Sequence, residues 1–216
     1  VTVGDTPVDY QYAKGHHCQL NLGDDRIIHG LSRLVEFIER TGATASIELN
    51  HVGALATKEV IDGDFPIAPS AVPTKWDEIA GVKRYIREMD KALIELTIEK
   101  FAEAAYRCKL AGFKMIMLHG GHGNLLPQFV SPRTNKRTDK YGGSLENRAR
   151  FVLEVLEAVR GKIGREMAIE YRVSGSEMDP AGMQEEETIE FIKMIQDKID
   201  LVHISLGMIS GPKYIY

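Results

Sequence analysis

The feature that most constrains the fold of this 216-residue chain is a fourfold alternation of amphipathic segments with short apolar runs. Apolar residues recur at helical spacing along 27–38, 94–108, 145–159 and 189–199. Each of these segments is followed by a mostly apolar run bounded by turn-forming residues, at 44–50, 113–119, 167–173 and 200–206. Nearly continuous apolar character predicts strands that are buried on both faces, as in a parallel sheet. The chain is therefore predicted to have an α/β fold.

Two architectures alternate helices with parallel strands, the doubly wound sheet and the (β/α)8 TIM barrel. Polar residues follow the carboxyl ends of three successive predicted strands, at 50–51, 119–124 and 172–174. A ring of such strand ends forms the active face of a barrel. No glycine-rich dinucleotide fingerprint follows an early strand, which disfavours the doubly wound alternative. We therefore expect a (β/α)8 barrel.

The chain is expected to hold only part of that barrel. It begins at Val1 rather than at a methionine and stops at Tyr216, and residues 1–3 resemble the tail of an earlier strand. Counted on the barrel, the predicted strands are about strands 3–6 with the tail of strand 2. Residues 1–216 are accordingly predicted to form one partial barrel domain with both ends missing. Residues 51–91 form its longest connection, and such a long loop indicates a functional excursion over the site.

Composition and charge limit the classes of partner. Apolar residues make up 44% of the chain and charged residues 27%, values that allow a sizeable core. A net charge of −4 without a long basic run gives no electrostatic signal for nucleic acid or an acidic membrane surface. No run approaches the roughly 18–20 apolar residues of a membrane span, and Cys18 and Cys108 are too few for a disulfide framework. We expect a cytoplasmic protein, and the sequence leaves open whether it forms an oligomer.

Two histidines carry the strongest chemical signal. His119 ends a predicted strand and His122 follows in a glycine-rich loop. Two imidazoles at this spacing can ligate a metal, exchange protons or donate hydrogen bonds to a substrate oxygen. A metal site requires a third ligand such as Glu170, and this alternative is a metal-dependent hydrolase. The plainest alternative is that His119 ends the strand with its ring satisfied by backbone groups.

The alternation of side chains along strands brings two more charged residues to the same place. If Glu48, His119 and Arg172 all face the barrel interior, they converge near its mouth. Arginine is rarely buried without an anionic or polar partner, so Arg172 needs such a partner. Glu48 could supply it in a purely structural ion pair.

The stretch HGGHGNLLPQFVSPRTNKRTDKYGGSLENRARFVLEVLEAVR at 119–160 resembles the Old Yellow Enzyme family, the NADH:flavin oxidoreductases. It is most similar to the branch of 2,4-dienoyl-CoA reductase and the anaerobic enoate and bile-acid reductases. Further matches are ASIELNHVG, FAEAAYRCKLAGF and EYRVSG, at 45–53, 101–113 and 170–175. The resemblance implies a TIM barrel that binds FMN and uses NAD(P)H to reduce a C=C bond conjugated to a carbonyl group, in an enone or enoyl-CoA.

The resemblance also implies roles for single residues. His119 and His122 would bind the carbonyl oxygen, and Arg172 would stabilise the reduced flavin. Glu48 stands at a flavin-contacting position where glutamine is usual. Asn124 stands where many members carry a tyrosine that donates the substrate proton. An amide is not a useful acid near neutral pH, so the proton would come from water or another side chain.

Other possibilities stay open at this stage. Tyr85 and Tyr141 are two candidate proton donors. Some relatives carry an iron–sulfur cluster and an FAD-binding domain, so a full-length protein could hold FAD and a 4Fe-4S cluster. An amine dehydrogenase on the same flavin scaffold is an alternative activity. Because the phosphate site of such barrels follows strands seven and eight, this chain alone is expected to bind FMN weakly and to be inactive.

Overall fold

The computed structural model describes residues 1–208, with the side chains of residues 75 and 76 left aside. Its strands are β1 (Thr2–Pro7), β2 (Ser46–Asn50), β3 (Ile67–Ala68), β4 (Arg87–Glu88), β5 (Met115–Gly120), β6 (Ala168–Ser174) and β7 (Leu201–Ser205). Its helices are α1 (Ile27–Glu39), α2 (Lys75–Ala80), α3 (Lys91–Ala111), α4 (Leu125–Val130), α5 (Leu145–Ile163) and α6 (Glu185–Ile195), with 3-10 turns at Gly53–Leu55 and Gln196–Lys198.

Five strands form one parallel sheet in the order β1-β2-β5-β6-β7. The order follows the chain, as it does for consecutive strands of a (β/α)8 barrel, and it does not reverse as in a doubly wound sheet. The predicted α/β barrel fold class is therefore confirmed over these strands. All four predicted strands are present, and the predicted tail at 1–3 belongs to a longer strand, β1. The short strands β3 and β4 pair with each other inside the 51–91 segment.

The helices cover one face of the sheet. Helix α3 packs against α1 and α5, and α5 also contacts α4 and α6. The large side chains of Phe101, Phe151 and Tyr171 are fully buried in this layer. Among the described residues, no helix combines the length and the apolar character that a bilayer crossing requires.

Capping residues mark the ends of the helices. Ser144 caps α5 by accepting a hydrogen bond from the Asn147 backbone N–H. Helix α3 ends at Gly112, which adopts a left-handed φ of 101°. In the sequence, Gly161 closely follows the apolar stripe of 145–159, and this position predicts the end of the helix. That prediction is wrong, because α5 continues to Ile163 and stops at Gly164, which has a positive φ.

The inner face of the sheet carries two rows of side chains. Strand pairing places Glu48, Met117 and Glu170 in register as the lower row. One step closer to the carboxyl ends, His119 pairs with Arg172, and Arg172 pairs with His203. Because side chains alternate along each strand, both rows face away from the helices.

Glu177 ties together the loops that follow β6 and α4. Its Oε2 atom accepts hydrogen bonds from the Ser131 hydroxyl at 2.6 Å and from the Met183 backbone N–H at 2.8 Å. The carboxyl group is buried, and this burial raises the pKa of Glu177 from 4.5 to about 7. Ionising Glu177 in the folded protein therefore costs free energy that the unfolded chain does not lose.

We expect Glu177→Gln to flatten the pH dependence of stability. The pKa of Glu177 is higher in the folded chain, so its contribution to stability is complete below about pH 4.5 and is lost as the pH rises to about 7. The loss is on the order of 2–3 kcal/mol. Glutamine keeps a carbonyl oxygen for both hydrogen bonds and cannot ionise. Urea unfolding at pH 5 and pH 8 measures the change.

The matched control for this prediction is Glu157→Gln, which alters an exposed carboxylate on α5. This control should unfold with the same pH dependence as the parent protein. A Glu177→Gln protein that loses as much stability as the parent between the two pH values would contradict the assignment.

Candidate active site

A cluster of charged side chains lies on the inner face of the sheet, near the carboxyl ends of its strands. Glu48 of β2 and His119 of β5 are both buried, and the Glu48 Oε1 atom is 2.6 Å from the His119 Nδ1 atom. The Arg172 Nη1 atom of β6 lies 3.9 Å from the same oxygen. The structure thus brings together the three residues that strand alternation predicts to converge.

The contact between Glu48 and His119 is short, but its geometry is not that of a hydrogen bond. The His119 Nδ1 atom is fully enclosed, but its N–H direction departs from the line to the carboxylate oxygen. Burial by itself would raise the pKa of Glu48. The interaction with His119, together with the charge of Arg172, outweighs burial and lowers that pKa, so Glu48 is ionised at neutral pH.

His122 is held in a left-handed backbone conformation, with a φ of 58°. Its backbone N–H donates to the Ser174 hydroxyl at 3.0 Å, and that hydroxyl donates to the Gly207 carbonyl oxygen at 2.7 Å. A hydroxyl can serve both bonds because it has one hydrogen and two lone pairs. The loop after β5 is therefore fastened to the ends of β6 and β7.

The two imidazole rings predicted as the catalytic pair are neighbours. The ring centroids of His119 and His122 are 5.2 Å apart, and the ring planes are tilted by 54°. Burial lowers the pKa of His122 to about 4, and the nearby His119 ring and Arg172 guanidinium add to the effect. His122 is consequently neutral near pH 7 and offers one N–H donor and one lone pair.

Arg172 has capacity for a further ligand. Its side chain is partly buried, and its Nε atom is enclosed without a hydrogen-bond partner among the described residues. A buried guanidinium N–H without a partner costs free energy, which an oxygen of a bound group would recover. Arg172 is therefore suited to hold a carbonyl-bearing or anionic ligand.

A second pair of a carboxylate and an imidazole lies beside the first. The His203 Nδ1 atom of β7 is 2.9 Å from the buried Glu170 Oε1 atom of β6. Glu170, the candidate third metal ligand, is thus directed to His203. Within residues 1–208, no group of three or more His, Cys, Asp or Glu side chains is placed to hold a metal ion. His203 was missed, although its position in the run 200–206 puts it on the inner face by the same alternation.

Asn124 is buried in the loop that carries His122. It precedes the first residue of α4, and its side-chain amide donates to the Gly121 carbonyl oxygen at 3.2 Å. The hydroxyl of Tyr141 donates to Glu154 on α5 at 2.9 Å. Tyr85 is 65% exposed, and its ring packs edge-on against the ring of Phe65. The source of the proton stays a prediction.

Gln128 of α4 is a further residue that sequence reasoning did not identify. Its Oε1 atom accepts from the Ala54 backbone N–H, while its Nε2 atom donates to the carbonyl oxygens of Val52 and Gly123. These bonds join the start of the 51–91 segment to the loop of His122. A glutamine on a helix gives no pattern that would have indicated this role.

Comparison with known proteins finds a matching family and similar sequences. The profile of the NADH:flavin oxidoreductase / NADH oxidase family matches residues 5–208. The chain is 39% identical over 202 residues to an NADH oxidase of Thermoanaerobacter brockii, a match that covers 93% of this chain and 30% of that protein.

Two solved structures are similar to this chain in both fold and sequence. Histamine dehydrogenase from Rhizobium sp. 4-9 superposes with a TM-score of 0.86 and 33% identity, over 96% of this chain and 30% of that one. The complex of 2-naphthoyl-CoA reductase with 2-naphthoyl-CoA superposes with a TM-score of 0.89 and 29% identity, over 99% of this chain and 34% of that one. The chain therefore spans about a third of the length of each protein.

We expect Ser174→Ala to loosen the His122 loop. The substitution removes the acceptor of the His122 N–H and the donor to Gly207, and it should cost about 1–2 kcal/mol of folding free energy. Amide hydrogen exchange at His122 should accelerate. As a control, Ser205→Ala removes a hydroxyl from the next strand, where it donates to the Val173 carbonyl oxygen. An unchanged exchange rate of the His122 amide in Ser174→Ala would contradict the role of Ser174 in holding this loop.

The left-handed backbone of His122 gives a second prediction. At a φ of 58° the His122→Gly protein should be more stable than His122→Ala by about 1 kcal/mol, because glycine has no Cβ to clash with the backbone. At Glu157, within α5, the order should reverse by a similar amount. Chemical unfolding of the four variants measures the difference in stability between glycine and alanine at each of the two positions.

Proposed function

The chain belongs to the NADH:flavin oxidoreductase / NADH oxidase family, and from this we propose that it supplies the substrate-binding face of an ene-reductase. The substrate would be a small molecule with a C=C bond conjugated to a carbonyl group, an enone or an enoyl-CoA. The observation that carries the proposal is the pair of rings of His119 and His122, 5.2 Å apart and beside Arg172.

The residues of the candidate site are suited to bind a flavin. The enclosed Nε atom of Arg172 lacks a partner among the described residues, and a flavin pyrimidine ring offers carbonyl oxygens to such a donor. We therefore assign Arg172 to hold FMN, while the assignment of Glu48 to the cofactor stays a prediction. When bound, FMN supplies the hydride chemistry between NAD(P)H and the substrate.

The imidazoles account for polarisation of the substrate. A conjugated carbonyl oxygen gains negative charge as a hydride reaches the β-carbon, and an N–H aimed at that oxygen stabilises the charge. His122 is neutral and can donate without losing a proton of its own. Its enclosed loop also removes water that would otherwise screen the interaction. One such donor is commonly worth about 3–4 kcal/mol, or 10²–10³ in rate.

Amine oxidation is a second candidate. The match to histamine dehydrogenase favours it, because that protein shares 33% identity and covers nearly the whole chain. Glu48 and Glu170 are buried on the inner face, and ionised Glu48 would attract a cationic amine. Arg172 opposes this attraction, which is why we favour the carbonyl substrate.

Anaerobic assays of the full-length protein loaded with FMN separate the two. Consumption of an enone or enoyl-CoA with NAD(P)H supports the ene-reductase. Flavin bleaching by an amine, without any enone turnover, would replace it with amine oxidation. A purified protein that takes up no flavin would exclude both activities.

We expect His122→Ala, and His119→Ala as well, to lower enone turnover by roughly 10²–10³. Reduction of the flavin by NAD(P)H should change less, because the missing N–H acts on the enone oxygen. His29→Ala, at an exposed histidine of α1, is the matched control and should retain full turnover. Stopped-flow measurement of each half-reaction gives both rates. Full enone turnover in His122→Ala would show that His122 does not bind the enone oxygen.

A further inference from the structure

We propose that one water molecule is bound in a cavity on the helix side of the sheet, where it joins the side chains of Tyr171, Thr188 and Glu177. The cavity lies between β6, α4 and α6, behind the strands that carry His119 and Arg172. This water site is independent of the proposed function, because it depends only on how the helix layer packs against the sheet.

The size and walls of the cavity suit a single water. Every residue that lines it is buried. The centre of a water molecule can occupy about 20 Å³ inside it. One water requires roughly 10–15 Å³ on the same measure, together with two to four polar partners. A cavity with apolar walls alone stays dry, so the polar groups at its walls decide whether water binds.

The hydroxyl of Tyr171 is the first of these polar groups. Its ring packs edge-on against Phe191 of α6, with the ring centroids 5.8 Å apart. The ring also lies against Gly120 of β5, where an added Cβ would overlap the ring and its hydroxyl. Held in this way, the fully buried hydroxyl has no hydrogen-bond partner among the described residues. Its burial costs free energy that a bound water would recover.

Thr188 brings a second hydroxyl to the same cavity. A threonine inside a helix can donate to the carbonyl oxygen four residues back, as Thr97 of α3 does to Leu93 at 2.7 Å. The buried hydroxyl of Thr188 in α6 has no such partner within residues 1–208, and Thr188 lines the cavity. Two hydroxyl groups therefore meet one cavity, one from a strand and one from a helix.

Glu177 supplies the third polar group. The Ser131 hydroxyl and the Met183 backbone N–H both donate to its Oε2 atom, so Oε1 is the oxygen left for the cavity. Because burial raises the pKa of Glu177 to about 7, the carboxyl group exists in both forms near neutral pH. A water molecule suits both, since it can donate to the ionised oxygen and accept from the protonated one.

A high-resolution crystal structure of the protein tests the proposal directly. We expect one ordered oxygen in the cavity, within hydrogen-bond distance of the Tyr171 hydroxyl, the Thr188 hydroxyl and the Glu177 Oε1 atom. The unmodified protein suffices, so this test does not depend on whether any variant folds. A dry cavity would overturn the proposal, and so would a structure in which the two hydroxyls bond to protein groups instead.

Urea unfolding of hydroxyl-deletion variants gives an independent test. Tyr171→Phe and Thr188→Val each remove one hydroxyl with little change of shape. Each should shift the urea midpoint to a lower concentration, because the water loses one of its partners. The double variant should shift the midpoint by less than the sum of the two single shifts, since both changes act through the same water.

Thr97→Val is the matched control, because it removes a buried helical hydroxyl that bonds to Leu93 and does not line the cavity. Its shift should add to that of Tyr171→Phe. Additive shifts for Tyr171→Phe and Thr188→Val would overturn the shared water. A midpoint that rises or stays unchanged in either single variant would overturn it as well, because deleting a hydroxyl without a partner relieves the cost of burying it.

Discussion

The in-register parallel pairing of four strands is the constraint on which the site depends. Glu48, His119 and Arg172 belong to β2, β5 and β6, which are separated by long stretches of chain, and only the pairing brings them together. Side chains alternate with a period of two, so a slip of one residue would turn the whole set toward the helices. The helix layer prevents such a slip, because it would place charged groups where Tyr171 and its apolar neighbours are fully buried.

The charges of the inner face are arranged so that each carboxylate has an imidazole on the next strand. Glu48 faces His119 and Glu170 faces His203, while Arg172 lies between the two imidazoles in the register of the sheet. Removing one member of a buried pair leaves its partner's charge without compensation, which costs several kcal/mol. This mutual dependence keeps the side chains in fixed orientations, as a binding site requires.

The sequence predicted the parts of the molecule that have a period. Strands and helices were located because burial repeats every two or 3.6 residues, and the convergence of Glu48 with His119 follows from the same repeat. The bonds of Gln128 and Glu177 were not predictable, because a side chain that meets backbone groups far along the chain leaves no local pattern. The end of α5 was misplaced because Gly161 and Gly164 look equivalent in sequence, and only the backbone φ distinguishes them.

Gln128 has a consequence for the loop that carries His122. Its amide spans from Val52 and Ala54 to Gly123, the residue after His122, so three hydrogen bonds tie the start of the 51–91 segment to that loop. A displacement of the start of this segment would have to break those bonds or shift the backbone next to His122. The geometry around one imidazole is therefore coupled to a part of the chain that lies about seventy residues away in the sequence.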